Sequence, residues 1–299
     1  MKFSVIVPTY NAGPLWKDWI TAITIQDLKP TEVIVIDSSS TDETALLAKQ
    51  AGFKVIQIDK AEFNHGATRN KAAMLCDPNS DILVYLTQDA ILAEPSALRE
   101  LINCFAKPNI AAACGRQLPH KNANPLAVFV RKFNYPDQSM IKDKNSIPQL
   151  GIKTVFMSNS FAAYRKSVFD KLGCFPNDVI LAEDMYLAAK MVMAGYQIAY
   201  CAEACVYHSH NYTLMQEFKR YFDTGCFHLE EAWIIQTFGK ATGEGKRLVL
   251  AEWDYLLKNA PLWLPYSLLA IFSKAMGFYL GKNADKIPKQ YWRYFSMFQ

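Results

Sequence analysis

Asp89 ends a stretch, Ile82–Leu86 followed by Thr87-Gln88-Asp89, in which a buried apolar strand gives way to a carboxylate. A carboxylate in that place projects into the crevice beyond a sheet, and its oxygens suit a hard divalent cation. One carboxylate holds Mg²⁺ or Mn²⁺ weakly, so a phosphate-bearing ligand, water and a nearby histidine must complete the shell. Val206-Tyr207-His208-Ser209-His210 offers two histidines, which on a strand would face one side. Two hydrogen-bonded surface histidines would give the same spacing.

Glu183-Asp184 places two adjacent acids where a helix should begin. Acids in a first turn favour the helix dipole, and one of them beside a crevice could also serve as a general base. Asp37, after Val33–Ile36, can accept hydrogen bonds from a nucleoside or act as a turn former. The segment Phe63-Asn64-His65-Gly66-Ala67-Thr68-Arg69-Asn70 combines a glycine, a histidine and an arginine before a helix, which suits either phosphate recognition or an ordinary surface loop.

These side chains need a scaffold, and the hydrophobic pattern supplies one. Apolar runs at 3–7, 33–36, 54–58 and 82–86 alternate with helix-length segments near 13–25, 43–51 (capped by Thr41 or Asp42) and 68–74. That order predicts an α/β fold with a mainly parallel sheet flanked by helices, its ligands lying past the carboxyl ends of the strands. Further strands are expected at 110–115 and 196–200, an apolar segment at 154–164 and a helix at 182–194. Residues 118–153 read as a loop-rich acceptor region. Beyond Tyr207 the pattern turns helical and aromatic, with helices near 214–227, 247–258 and 261–280. The expected division is an α/β domain over 1–210 and a helical region over 211–299.

The composition of 51% hydrophobic and 20% charged residues fits an ordered globular chain. A formal charge of +4, with no basic stripe, argues against nucleic acid. Seven scattered cysteines show no metal-knuckle spacing and are expected to be reduced. MKFSVIVPTY reads as a strand, so a cytoplasmic catalytic region is expected. The apolar run at 262–272 is too short to span a bilayer, yet its aromatic residues and Lys258, Lys274 and Lys282 suit a membrane surface as well as ordinary packing. No GxGxxG turn follows the first strand, where Pro8-Thr9-Tyr10-Asn11-Ala12-Gly13 stands, which sets aside a dinucleotide-binding enzyme.

In combination, Val5-Ile6-Val7-Pro8-Thr9-Tyr10-Asn11, Val33–Asp42 and the later acids resemble the family 2 inverting glycosyltransferases of the GT-A fold. The resemblance implies that residues 1–210 are the GT-A nucleotide-sugar-binding and catalytic domain, that Pro8, Thr9, Tyr10 and Asp37 line a base and ribose pocket, that Arg69 helps bind the nucleotide, and that Asp184 is the base with Glu183 beside it. A narrower resemblance, to bacterial rhamnosyltransferases, rests on Phe63–Asn70, on Leu86-Thr87-Gln88-Asp89-Ala90 and on Gly277–Lys282 with Pro288 and Ser296-Met297. It implies dTDP-L-rhamnose as donor, Gln88 and Asp89 at the donor, Mg²⁺ or Mn²⁺ held near Asp89 and His208, and a glycan or lipid-linked glycan as acceptor. Thr87 stands where family 2 enzymes usually carry the first acid of Asp-x-Asp, which places most of the protein's metal binding on Asp89. The same chemistry with a UDP- or GDP-sugar, and a non-catalytic nucleotide-sugar or glycan-binding protein, are the competing readings.

Overall fold

The computed structural model describes residues 1–239 and 244–298. The first half alternates strands and helices: β1 (Phe3–Thr9), α1 (Leu15–Thr24), β2 (Glu32–Asp37), α2 (Thr44–Gln50), β3 (Lys54–Gln57), α3 (His65–Met74) and β4 (Ile82–Leu86). Then come β5 (Ile91–Leu92), α4 (Ala97–Asn103), β6 (Ile110–Leu118), α5 (Pro125–Asn134), β7 (Met140–Lys142) and α6 (Ile147–Leu150). The sheet-bearing part closes with β8 (Phe161–Arg165), α7 (Lys166–Lys171), α8 (Glu183–Met193) and β9 (Gln197–Tyr207). Helices complete the chain: α9 (Leu214–Glu230), α10 (Ala232–Phe238), α11 (Glu244–Asn259), α12 (Leu264–Gly281) and α13 (Trp292–Phe295).

The strands form one sheet in the order β3-β2-β1-β4-β8-β6-β9-β5, with β7 also on β9. β3, β2, β1 and β4 run parallel, in a register that sets Val5 opposite Val33 and Val84. β8 enters antiparallel between β4 and β6, and this reverses the sheet where sequence alone predicted only another apolar run. Alternation sends Val5, Val7, Val33 and Val35 to one face, against Trp16 and Trp19, and Ile6, Ile34 and Ile36 to the other, with Tyr85 and Tyr164. Burial of each such side chain contributes about 1.5–3 kcal/mol. Because chain order reverses between β1 and β4, a crevice opens beyond Thr9 and Leu86, the place where open α/β sheets take ligands.

Four expectations need correction. Residues 118–153 are not chiefly loop, since β6 runs to Leu118 and α5 occupies Pro125–Asn134, started by Asn124, whose side chain accepts from Ala127 N at 2.9 Å, and by a proline in the first turn. β4 stops at Leu86, so Asp89 lies in the turn beyond it rather than at its end. His208 and His210 lie past the end of β9, so strand alternation does not align them. The residue before α2 is Glu43, without a side-chain cap, although Asp42 accepts from Thr44 N at 3.0 Å.

The C-terminal helices pack back on the sheet: Phe227, Ile234 and Phe238 share a core with Ile6 and Tyr164. α9 and α12 cross at van der Waals limits. A Cβ on Gly281 would stand 2.0 Å from Phe222 O, and one on Gly277 would stand 2.2 Å from Phe218 O. Glycine is required there because backbone meets backbone.

Candidate active site

The crevice walls are built from loops that leave the parallel strands. Thr9 Oγ1 donates to Asp37 Oδ1 at 2.9 Å, and Ser40 N donates to Asp37 Oδ2 at 2.9 Å. Asp37 is wholly buried and braces the β1 and β2 ends together. Tyr10 stands exposed at the rim with Lys60 Nζ 4.4 Å above its ring, a flat cation-backed surface suited to a base. Gln88 clamps the Tyr10 backbone from across the crevice, accepting from Tyr10 N at 2.8 Å and donating to Tyr10 O at 3.2 Å. Pro8 lies inside β1, paired with Ile36 of β2.

Asp89 faces two histidines. His208 Nε2 is 3.5 Å and His210 Nε2 3.6 Å from Asp89 Oδ2, and the three ligand atoms lie within 4.8 Å of one another. Gln117 Oε1 contacts His208 Nδ1 at 2.9 Å, and the Gln117 amide in turn donates to Ser158 Oγ at 2.8 Å. An imidazole whose Nδ1 is so engaged turns its Nε2 to Asp89, as a hydrogen-bond donor when protonated there and as a ligand atom when a cation lies between them, the outer-shell arrangement of metal-ligating histidines. Burial, then the charges of His208 and of nearby groups, pushes His210 down to about 4, so it is neutral and able to ligate at pH 7. Burial alone would raise Asp89, but the hydrogen bond and charge of His208, with His210, hold its carboxyl well below the usual range. One anionic oxygen and two imidazole nitrogens fit a divalent cation that completes its shell with phosphate oxygens and water.

The acids Glu183 and Asp184 open α8 after Ala182, a non-glycine residue held in the left-handed region at φ 61° and ψ 30°. The two carboxylates diverge. Glu183 is buried, with Arg69 Nη1 at 3.2 Å and Asn159 Nδ2 at 2.8 Å on the same oxygen. Burial would raise it, yet Arg69, His65 and Asn159 bring it below the ordinary glutamate value. Asp184 takes Asn159 N at 2.9 Å and Met185 N at 2.7 Å. Burial and the charge of Glu183 outweigh those donors and push Asp184 up to about 7. Two adjacent acids with separated proton affinities divide the roles: Glu183 is a fixed anion, and Asp184 can take a proton at neutral pH.

Arg69, expected at the nucleotide, is buried and turned to Glu183 and to His65 O at 2.9 Å. Both halves of the site meet at Ser158–Ser160, where Ser158 holds Gln117 and Asn159 holds both acids. A cleft of about 790 Å³ joins Gln88, Asp89, His208 and His210 to Arg131, Arg220, Tyr266 and Lys274. The rings of His208, His210 and Tyr212 follow one another at 4.7 and 4.9 Å, and the Arg220 guanidinium lies 5.2 Å over Tyr212. Sequence reading passed over Gln117, Asn159, Arg131 and Arg220. Only the arginines had a local signal, a cation on the inner face of an amphipathic helix.

Residues 4–173 match Glycosyl transferase family 2. The O-antigen chain rhamnosyltransferase WbaN of Salmonella anatum is 56% identical over 299 residues, covering 100% of this chain and 95% of the relative. The chain belongs to glycosyltransferase family 2. The O-antigen chain rhamnosyltransferase RfbN of Salmonella typhimurium is 55% identical over 300 residues, with coverage of 100% and 95%. Among solved structures, the mannosyltransferase PcManGT from Pyrobaculum calidifontis, in complex with GDP-Man and Mn²⁺, superposes with a TM-score of 0.58 at 23% identity, covering 98% of this chain and 84% of that one. S. aureus TarS 1-349 in complex with UDP gives 0.54 at 18% identity, covering 96% and 91%. These likenesses establish the GT-A fold, and this family 2 enzyme is a glycosyltransferase.

Proposed function

We propose that the enzyme transfers L-rhamnose from dTDP-L-rhamnose, with inversion, to a glycan carried on a lipid during O-antigen synthesis at the cytoplasmic face of the bacterial inner membrane. The observation that carries the chemistry is Asp184, pushed up to about 7 and tied through Asn159 to the segment that, by way of Gln117, orients His208 beside Asp89. End-to-end identity of 56% with an O-antigen chain rhamnosyltransferase supports the choice of sugar.

Asp184 takes the proton of the acceptor hydroxyl as that oxygen attacks the anomeric carbon from the face opposite the diphosphate, so one displacement inverts the centre. Glu183, kept ionised by Arg69, supplies the negative charge that, after burial, makes Asp184 basic. Tyr10, with Asp37, Thr9 and Pro8 behind it, receives the base and ribose, and Gln88 fixes that wall. Asp89, His208 and His210 would hold a divalent cation, with Mn²⁺ favoured over Mg²⁺ by two imidazole donors, and that cation would supply charge neutralisation for the departing diphosphate.

Nucleotide release, measured with dTDP-L-rhamnose, UDP-sugars and GDP-mannose on a rhamnan-type acceptor, tests the reading. Turnover is expected with dTDP-L-rhamnose and is expected to vanish in Asp184→Asn. Turnover with a UDP- or GDP-sugar alone would replace the donor. Nucleotide-sugar binding without turnover of any donor would favour a binding protein.

A further inference from the structure

α12 has two unlike faces. Its inner face packs on α9 through Gly277 and Gly281 and lines the catalytic cleft with Tyr266, Ala270 and Lys274. Lys274 is the only charged residue of α12, and it turns inward to Glu217 Oε1 at 3.5 Å. The outer face is a continuous apolar stripe at helical spacing. Leu268 is 54% exposed, Leu269 54%, Phe272 64% and Tyr279 65%, and Leu262, in the turn before the helix, is 91% exposed. Pro265, Ala275 and Met276 fill the same stripe, which carries no charged side chain. Exposure of so much contiguous apolar surface marks a contact face, because a helix turned wholly to water would carry polar residues there.

Charge identifies what covers it. Residues 258–299 hold six cations, Lys258, Lys274, Lys282, Lys286, Lys289 and Arg293, against one acid, Asp285. That local excess is larger than the whole chain's +4, so the remaining residues are acidic on balance. Lys258, paired with Asp254 at 2.7 Å, stands before the stripe, and the cationic excess lies after it, where Lys282, Lys286, Lys289 and Arg293 stand exposed. An apolar stripe running into a cationic C-terminal rim suits an interface whose interior is hydrocarbon and whose surface is anionic. A two-fold partner would bring these cationic rims against each other. Among the described residues no helix is long and apolar enough to cross a membrane, so contact is along the surface.

We infer that α12 docks side-on to an anionic bilayer through Leu262, Leu268, Leu269, Phe272, Met276 and Tyr279. The catalytic cleft, lined by the opposite face of the same helix, then lies about one helix diameter, roughly 10 Å, from the lipid headgroups. An acceptor glycan anchored in that bilayer reaches the cleft without leaving its lipid. The docking gains its purpose from the lipid-linked acceptor proposed above, which it rests on, although its test does not need that acceptor.

The test is flotation of the full chain with vesicles of phosphatidylcholine alone and of phosphatidylcholine with phosphatidylglycerol, at low and raised salt. Binding is expected on the anionic vesicles, weakening with salt. The double variant Leu268→Gln/Phe272→Gln is expected to lower binding by about tenfold or more, as is Lys282→Glu/Lys286→Glu. Both substitute exposed residues, and an unchanged urea midpoint confirms that each variant is folded. A wild type that ignores anionic vesicles at low salt, or an apolar double variant that floats like the wild type, overturns the inference. So does a wild-type dimer by light scattering that the apolar double variant renders monomeric, because a second copy then covers the face. If flotation follows the expected pattern while dTDP-L-rhamnose is not turned over, the donor assignment fails and the docking surface holds.

Discussion

Replacing Asp184 by Asn should abolish transfer and stabilise the fold at alkaline pH, two opposite effects of one atom exchange. Asp184 is pushed up from an ordinary 3.8 to about 7, first by burial and then by the charge of Glu183. A folded-state value above the unfolded one means that the native protein holds this proton more tightly, so the contribution is fully present below about pH 4 and is lost as pH rises through about 7. At about 1.4 kcal/mol per tenfold, the whole displacement corresponds to about 4 kcal/mol, and loss of one acceptor for the two backbone donors on Asp184 cuts this to about 2–3 kcal/mol. Urea unfolding of wild type and Asp184→Asn at about pH 5 and about pH 8 reads that difference, which should appear mainly at the higher pH. In the wild type kcat should climb with pH through about 7, as the base becomes anionic. Glu183→Gln, by removing the second cause of the rise, should move that limb to lower pH. A variant destabilised equally at both pH values, or a flat wild-type profile across this range, would refute the assignment of Asp184 as an elevated base.

Three further outcomes follow from other parts of the structure. Arg69→Met leaves the buried Glu183 carboxylate without its cation and should cost about 3–5 kcal/mol in urea unfolding at neutral pH; a loss under 1 kcal/mol would mean that the pair is not closed in solution. Gln117→Leu frees His208 Nδ1 and should weaken Mn²⁺ binding by about 10- to 100-fold in calorimetry, with His208→Ala weakening it further and unchanged affinity removing the triad as the metal site. Gly281→Val would drive its Cβ into Phe222 O, and a fall in Tm matching about 2–3 kcal/mol is expected, whereas a neutral result would show that the α9–α12 crossing is looser than described.

The parallel half of the sheet is legible because β1, β2 and β4 are buried on both faces and so read as unbroken apolar runs. The family resemblance drawn from those runs and their flanking acids agrees with the family match. β8 is different: Phe161–Arg165 is as apolar as its neighbours, and nothing local says that it enters antiparallel. α5 was hidden by the polar residues on either side, although Asn124-Pro125 is a helix start in cap chemistry. In the site, the types of the acids and histidines are visible and their directions are not. Glu183 and Asp184 are adjacent, yet only the fold sends one to Arg69 and the other to a backbone pair of donors. His208 and His210 converge on Asp89 because of the loop after β9, and Gln117, which orients one of them, lies 91 residues away in sequence.

Ala182 adds a cost that the protein bears at the threshold of its acid pair. A left-handed alanine is disfavoured by roughly 1–2 kcal/mol, a strain that glycine in the same place would relieve. Glycine would also restore a choice of backbone conformations at the residue from which both carboxylates hang. The methyl group therefore narrows the well in which this residue can sit while raising its energy, so the turn is held by the hydrogen bonds and packing around the acid pair and not by its own preference. Angular error in the two acids is kept small by a residue that touches neither substrate nor metal, and a search for stabilising substitutions would discard it first.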